Sequence, residues 1–243
     1  MITSWNVGSF KGDRSKITAY ISENINTEDD LVILHEVTPV GYKFMSEKLS
    51  DKFEILSPII PENTSSRFFT AAVCQKGAYV LDETYKNNVL CVFEEYSNRV
   101  TVLCRAAKKD MTVVGVHIPI NGNSGYGETN YWESLMRLHD MLPKDKALIY
   151  AGDFNTYSPG TVNKRKLYEL MSKGLVDFWL ECGGCHNFPT YEKGTRIDLM
   201  LVSGKHFDEL SEKYVMQIDD TVMKNKLSDH SAIILKEKTH PKL

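Results

Sequence analysis

Side chains suited to holding a cation and moving a phosphoryl group recur in this chain as five short clusters: Trp5-Asn6-Val7, His35-Glu36-Val37, Gly152-Asp153-Phe154-Asn155, Arg196-Ile197-Asp198 and Ser228-Asp229-His230. Each lies at the end of an apolar run, where a strand would deliver it to one edge of a sheet. Carboxylate oxygens are the hard ligands that magnesium and manganese prefer, and one or two of them with waters and substrate phosphate suffice for magnesium. Glu36 is the leading ligand. It ends the run Leu31-Val32-Ile33-Leu34, which is too apolar to tolerate an ion unless that ion is bound or sits at a sheet edge. A lone glutamate at a loop start would read as a solvated acid; its place among the other clusters reverses that reading.

In Leu148-Ile149-Tyr150-Ala151-Gly152-Asp153-Phe154-Asn155 the glycine lets the backbone turn closely. Asp153 and Asn155 then stand two apart and face the same way if the chain stays extended. Asp153 is suited to hold or activate an attacking water. Asn155, which cannot ionise, can donate to a phosphate oxygen without repelling it. His230 precedes Ser231-Ala232-Ile233-Ile234-Leu235 and would sit at the mouth of the final strand, with an imidazole that titrates near neutrality. Asp198 enters Leu199-Met200-Leu201-Val202, where a carboxylate needs a partner, and His230 is a fitting one. The alternative is a structural salt bridge to Arg196, although side chains two apart on a strand rarely bond well. Asp229 would then reach the cation side. His117, which ends Val113-Val114-Gly115-Val116 and is followed by Pro119, would by itself read as structural; the other clusters raise it to a phosphate-contacting candidate. The combined pattern is that of a divalent-metal phosphoesterase.

These residues need a sizeable scaffold. The chain has 243 residues, 42% hydrophobic and 25% charged, with a formal net charge of -3. That is an ordinary globular composition, and it excludes a global basic field for tight non-specific duplex binding. One domain over residues 1–243 is expected, with no membrane span, no export signal and five cysteines that imply a reducing, cytoplasmic setting; a monomer is expected. Cys182-Gly183-Gly184-Cys185-His186 matches a haem-attachment pattern, but without export or a second C-x-x-C it reads as a loop with two free thiols before a strand at Thr190. Periodicity places strands near 2–7, 30–36, 53–57, 68–75, 89–95, 99–105, 111–118, 146–152, 196–203, 214–218 and 230–236. Helices are expected over 13–26, 40–49, 132–142 and 164–173. The polar turns at Asn87-Asn88, Ser97-Asn98 and Lys108-Lys109-Asp110 make 68–118 an antiparallel meander. Helix-covered halves around a meander fit an α/β four-layer sandwich, two mixed β-sheets packed face to face with helices on the outer faces. The glycine-rich stretch 121–127 has neither nucleotide-binding glycine pattern and reads as a mobile loop bordering the site.

In this order and at these separations, the clusters resemble the endonuclease/exonuclease/phosphatase superfamily, from Trp5 to Ile234. The resemblance implies a magnesium or manganese ion with Asn6, Glu36 and Asp229 as metal-site residues. It also implies Asp153 and Asn155 orienting the nucleophilic water and transition state, Asp198 orienting His230, and His117 where members carry His or Tyr beside the phosphate. Two departures stand out. Gly8 occupies a position where many apurinic endonucleases carry an acid, and His35 one where members often have Gln.

The substrate implied is a phosphate ester. A nuclease or DNA-repair phosphodiesterase leads; a phosphatase or phosphodiesterase for a small metabolite, lipid headgroup or inositol phosphate follows, and a non-catalytic phosphate-binding relative is third. Lys108-Lys109, Lys164-Arg165-Lys166 and Arg67 are the candidate basic contacts, each also readable as a solvated surface. Tyr126, Tyr131, Trp132 and Tyr157 are candidate stacking surfaces, with Trp132 better explained as helix core.

Overall fold

The computed structural model describes residues 1–59, 66–82, 93–120, 131–157 and 160–238. Its strands in chain order are β1 (Ile2–Asn6), β2 (Leu31–Val37), β3 (Phe53–Leu56), β4 (Phe69–Gln75), β5 (Tyr79–Leu81), β6 (Val100–Arg105), β7 (Met111–His117), β8 (Ala147–Asp153), β9 (Leu175–Asp177), β10 (Asp198–Ser203), β11 (Tyr214–Asp219) and β12 (Ala232–Glu237). They form two six-stranded sheets, ordered β11-β12-β1-β2-β4-β3 and β5-β6-β7-β8-β10-β9. The helices are α1 (Arg14–Glu23), α2 (Pro39–Leu49), α3 (Tyr131–Met141), α4 (Val162–Met171) and the short α5 (Phe178–Glu181), α6 (Phe207–Lys213) and α7 (Thr221–Lys224). Local chemistry starts several of them. Asp13 accepts from the Ser15 and Lys16 amides before α1, and Thr38 accepts from the Gly41 amide before α2, whose first residue is proline.

Alternation along the strands sorts the apolar side chains into three layers, which is why the molecule has four layers of elements. Val32 and Leu34 face α1 and α2 with Ile17, Ile21 and Met45, whereas Ile33 turns inward to Val113, Ile149 and Met200 of the opposing sheet. Val114, Val116 and Tyr150 face outward onto Trp132, Leu135 and Leu167. Each sheet is mixed: β1 and β2 are parallel, as are β7 and β8. β12 runs antiparallel to β1, and β10 antiparallel to β8. The ends of β1, β2, β7 and β8 therefore meet the starts of β10 and β12 at one rim.

Three expectations need correction. The stretch 68–118 is not one meander, because β4 pairs with β2 and β3 while β5, β6 and β7 pair in the other sheet. The chain changes sheets at the turn after Gln75, where the Ala78 amide donates to the Gln75 carbonyl and Gly77 takes φ 74°. Turn residues mark a reversal but not the partner that follows it. Residues 93–95 of the strand expected at 89–95 lie instead at the start of a 3-10 segment, Glu94–Arg99; 83–92, with Asn87-Asn88 and Cys91, fall outside the described residues, as does 121–127. Thr190 is not in a strand; the segment there makes only isolated bridges from Tyr191. β5, β9 and α5 to α7 were not anticipated, since runs of three to seven residues are too short to display a period. Among the described residues no helix is long and apolar enough to cross a membrane.

Candidate active site

The rim gathers side chains from both sheets. In the second sheet Asp153 stands in register with His117 on one side and Asp198 on the other. From the first sheet, Asn6 Nδ2 donates to Asp153 Oδ2 at 3.0 Å. His117 Nε2 lies 3.9 Å and His230 Nε2 4.0 Å from that same oxygen. His230 Nδ1 faces both Asp198 oxygens, at 2.9 and 3.2 Å, which settles the expected pairing in favour of His230. Arg196 pairs instead with Asp177 through two contacts of 2.5 and 3.3 Å. Glu36 follows an irregularity in β2 between Leu34 and Val37 and takes φ 57°, so its carboxylate leaves the core. Its Oε1 is 3.7 Å from His117 Nε2, and its Oε2 accepts from Ser9 Oγ at 2.9 Å.

Backbone contacts hold the pieces in place. A Cβ on Gly152 would lie 1.8 Å from the Val116 carbonyl oxygen, so the close approach of β7 and β8 beneath Asp153 requires glycine. The Thr190 hydroxyl oxygen accepts from the Ile197 and Asp198 amides, and the Thr190 carbonyl accepts from the Ser231 amide; one residue thus ties both ends of the Asp198–His230 pair. Trp5 Nε1 donates to the His230 carbonyl at 3.2 Å, and Tyr191 packs its ring 4.7 Å from the imidazole.

Burial sets the electrostatics. It raises the Asp153 pKa, and the neighbouring Asp198 charge pushes the same way. Burial opposes protonation of His230, but the charge and hydrogen bond of Asp198, with Asp153 and Asp229, outweigh it and push the ring up to about 10. His117 shifts well below the ordinary imidazole value through burial, then through the Arg99, His35 and His230 charges. The rim therefore favours protonation of the imidazole on one side of Asp153 and opposes it on the other.

The donors available for a cation fit a hard divalent ion. Glu36, Asp229 and Glu192 line one cavity of about 320 Å³, together with Gly8, Lys11, Lys226 and Ser228. The missing side chain at Gly8 matters here, because a Cβ would lie 3.0 Å from Asp229 Oδ1, so a side chain at that position would crowd the Asp229 carboxylate. Asn6 Oδ1 accepts from the Gly8 amide at 3.0 Å and keeps a lone pair. Asp153, Asp198 and His230 also place ligand atoms within 4.8 Å of one another. Because both Asp198 oxygens are turned to His230 Nδ1, that trio is closed on itself, whereas the Glu36–Asp229 group opens to a cavity.

Some residues sit differently from expectation. β8 ends at Asp153, and Asn155 takes φ 49°, so strand alternation does not place it; its amide is buried and donates to the Ile118 carbonyl at 2.7 Å. Tyr131 and Trp132 are wholly buried and cannot stack on a ligand, and Tyr126 lies outside the described residues. Tyr157 packs 6.0 Å from Tyr191. Lys108 and Lys109 lie in the turn before β7, at the opposite edge from His117, and Lys108 binds both Asp29 oxygens at 2.8 Å. Lys166 pairs with Glu169 on α4. Arg67 is exposed beside Phe68, whose ring lies 5.3 Å from His117. Ser9, Arg99, Thr190 and Tyr191 were missed. Of these only Arg99 carried a signal, a cation opening the apolar run Val100-Thr101-Val102. Cys182 and Cys185 are exposed free thiols, as expected.

Comparison with known proteins places this geometry. Among solved structures, the chain is similar to a 3′ phosphatase, NExo, from Neisseria bound to a product DNA hairpin, with 17% identity and a TM-score of 0.68 over 98% of this chain and 99% of that one. It is similar to an AP endonuclease from Archaeoglobus fulgidus, with 14% identity and a TM-score of 0.64 over 98% and 99%. It is also similar to D. rerio TDP2 complexed with a single-strand DNA product, with 15% identity and a TM-score of 0.62 over 98% of each chain. No curated protein matches it by sequence. The sequence profile of the endonuclease/exonuclease/phosphatase family matches residues 3–230, and with the sheets and rim just described the chain belongs to that family.

Proposed function

We propose that this protein hydrolyses phosphodiester bonds in nucleic acid, as a nuclease or repair-type phosphodiesterase that depends on magnesium or manganese. The observation that carries this reading is the surrounding of Asp153 Oδ2 by Asn6 of β1, His117 of β7 and His230 just before β12, which come from both sheets and lie within 4.0 Å of it. Asp153 accepts a hydrogen of the attacking water and holds that water in line with the phosphorus. His230, oriented by Asp198, donates from Nε2 to a phosphoryl oxygen, and His117 faces the same oxygens from the other side. Asn155 steadies Asp153 by donating its backbone amide to Oδ1 at 2.9 Å. Glu36 and Asp229, with Asn6 beside them, would hold a divalent ion, which would neutralise the charge that develops on those oxygens.

Nucleic acid is favoured by the DNA named with two of the similar structures and by the wall of Tyr157, Tyr191 and Lys193 beside His230. A small phosphorylated metabolite, lipid headgroup or inositol phosphate is the second reading, favoured by the net charge of -3 and by Lys108 being tied to Asp29 at the far edge. Plasmid, single-stranded and abasic oligonucleotides and a panel of small phosphate esters, each with magnesium, manganese or chelator, separate the two. Metal-dependent cleavage of nucleic acid is the expected result; phosphate release from small esters alone would replace the first reading with the second.

A further inference from the structure

His117 is buried, and its two ring nitrogens face different neighbours. Nδ1 lies 3.4 Å from Arg99 Nη1. A guanidinium has donors and no acceptor, so Nδ1 must be the acceptor and the ring hydrogen must sit on Nε2. Nε2 in turn stands 3.7 Å from Glu36 Oε1 and 3.9 Å from Asp153 Oδ2, beyond hydrogen-bond reach of both. Among the described residues it has no hydrogen-bond partner. The molecule thus holds, on a buried ring, an N–H aimed into a gap between two carboxylates, where a ligand oxygen would satisfy it.

Arg99 is itself fixed. It closes the 3-10 segment Glu94–Arg99, its carbonyl accepts from the Tyr131 hydroxyl at 3.1 Å, and its guanidinium lies 4.6 Å above the Phe68 ring, which also packs against His117. We propose that Arg99 is a positioning residue that locks His117 in the neutral Nε2–H tautomer, so that the ring presents a fixed donor to a phosphoryl oxygen between Glu36 and Asp153. The use of that donor rests on the phosphoesterase reading above; the lock itself does not. The opposite tautomer would set an N–H against the guanidinium and turn a lone pair toward the substrate, repelling the oxygen it should bind.

Nitrogen-15 NMR of the imidazoles, recorded on the whole protein without metal or substrate and assigned with His117→Gln, reads the tautomer directly. The expected wild-type pattern is Nε2–H, and Arg99→Met should convert it to a mixture or to Nδ1–H. An Nδ1–H or doubly protonated ring in the wild type would overturn the proposal, as would a tautomer unchanged in a folded Arg99→Met variant. The wild-type spectrum decides even if that variant does not fold. With an oligonucleotide substrate, Arg99→Met should lower kcat about 10²-fold with a smaller change in KM, the scale of losing one aimed donor. Added to His117→Gln it should cost little more, because the two act as one unit; full additivity would contradict the lock. A locked tautomer in a protein that hydrolyses no phosphate ester would sink the functional reading while supporting the lock.

Discussion

Asp198 and His230 show how far a single side chain can be read. A carboxylate entering an apolar strand costs several kcal/mol unless paired, and an imidazole at the mouth of another strand suited it better than Arg196 two residues away; the structure makes the bond to His230 at 2.9 Å. His230→Ala should therefore cut turnover by about 10²–10⁴-fold and, by leaving the buried Asp198 carboxylate without its partner, lower the melting temperature as well, as steady-state kinetics beside a thermal melt would show. Thr190, by contrast, left no trace in the sequence, since its task is to accept two amides that only the folded loop brings to it. Thr190→Val strands both N–H groups in a buried place and should cost about 1–3 kcal/mol in denaturant unfolding. It should also lower kcat more than it changes KM, because Asp198 loses its anchor. Arg99 left only a faint trace, a cation opening the run Val100-Thr101-Val102, because its contacts to His117 and Phe68 join segments that no short-range pattern links.

At the scale of elements, most strands that carry the rim were legible because β2, β7 and β8 are buried on both faces and read as largely apolar runs. Their neighbours were not. Which sheet β4 and β5 would join, and the irregularity that swings Glu36 outward, depend on pairing partners distant in the chain. Gly152 is where pairing and chemistry meet, as any side chain there collides with the Val116 carbonyl. Gly152→Ala should destabilise the protein by about 1–3 kcal/mol or more, read as a lowered melting temperature. It should also reduce hydrolysis, since the register of His117 against Asp153 is set by the same pairing. A Gly183→Ala control, in a loop where a Cβ meets nothing within 4 Å, carries only the strain of its φ of 82° and should leave hydrolysis unchanged.

For the molecule as a whole, the sandwich buries imidazoles far from the rim as well as near it. His139 packs its ring against Tyr150, with Nδ1 3.1 Å from the hydroxyl, and burial lowers its pKa from 6.5 to about 4. The unfolded chain takes up a proton as the pH falls through about 6.5, while the folded protein resists it until about 4. Stability should thus be full above neutrality and decline across that window by roughly 3 kcal/mol at most from this group. Urea unfolding at pH 7.5, 6.0 and 5.0 measures it, and His139→Gln should flatten the decline. That three layers of core would hold five polar clusters at one rim was legible from the order of the clusters along the chain; how closely Asp153 would be ringed was not, because it depends on the register between antiparallel strands.

Convergence of Glu36, Asp229 and Asn6 on one cation beside Asp153 is tested most directly by anomalous diffraction from crystals soaked in manganese. The expected result is a peak within coordination distance of a Glu36 carboxylate oxygen, in the cavity that Glu36 shares with Asp229. Well-ordered density in which manganese avoids Glu36, or lies only between Asp198 and His230, would contradict it.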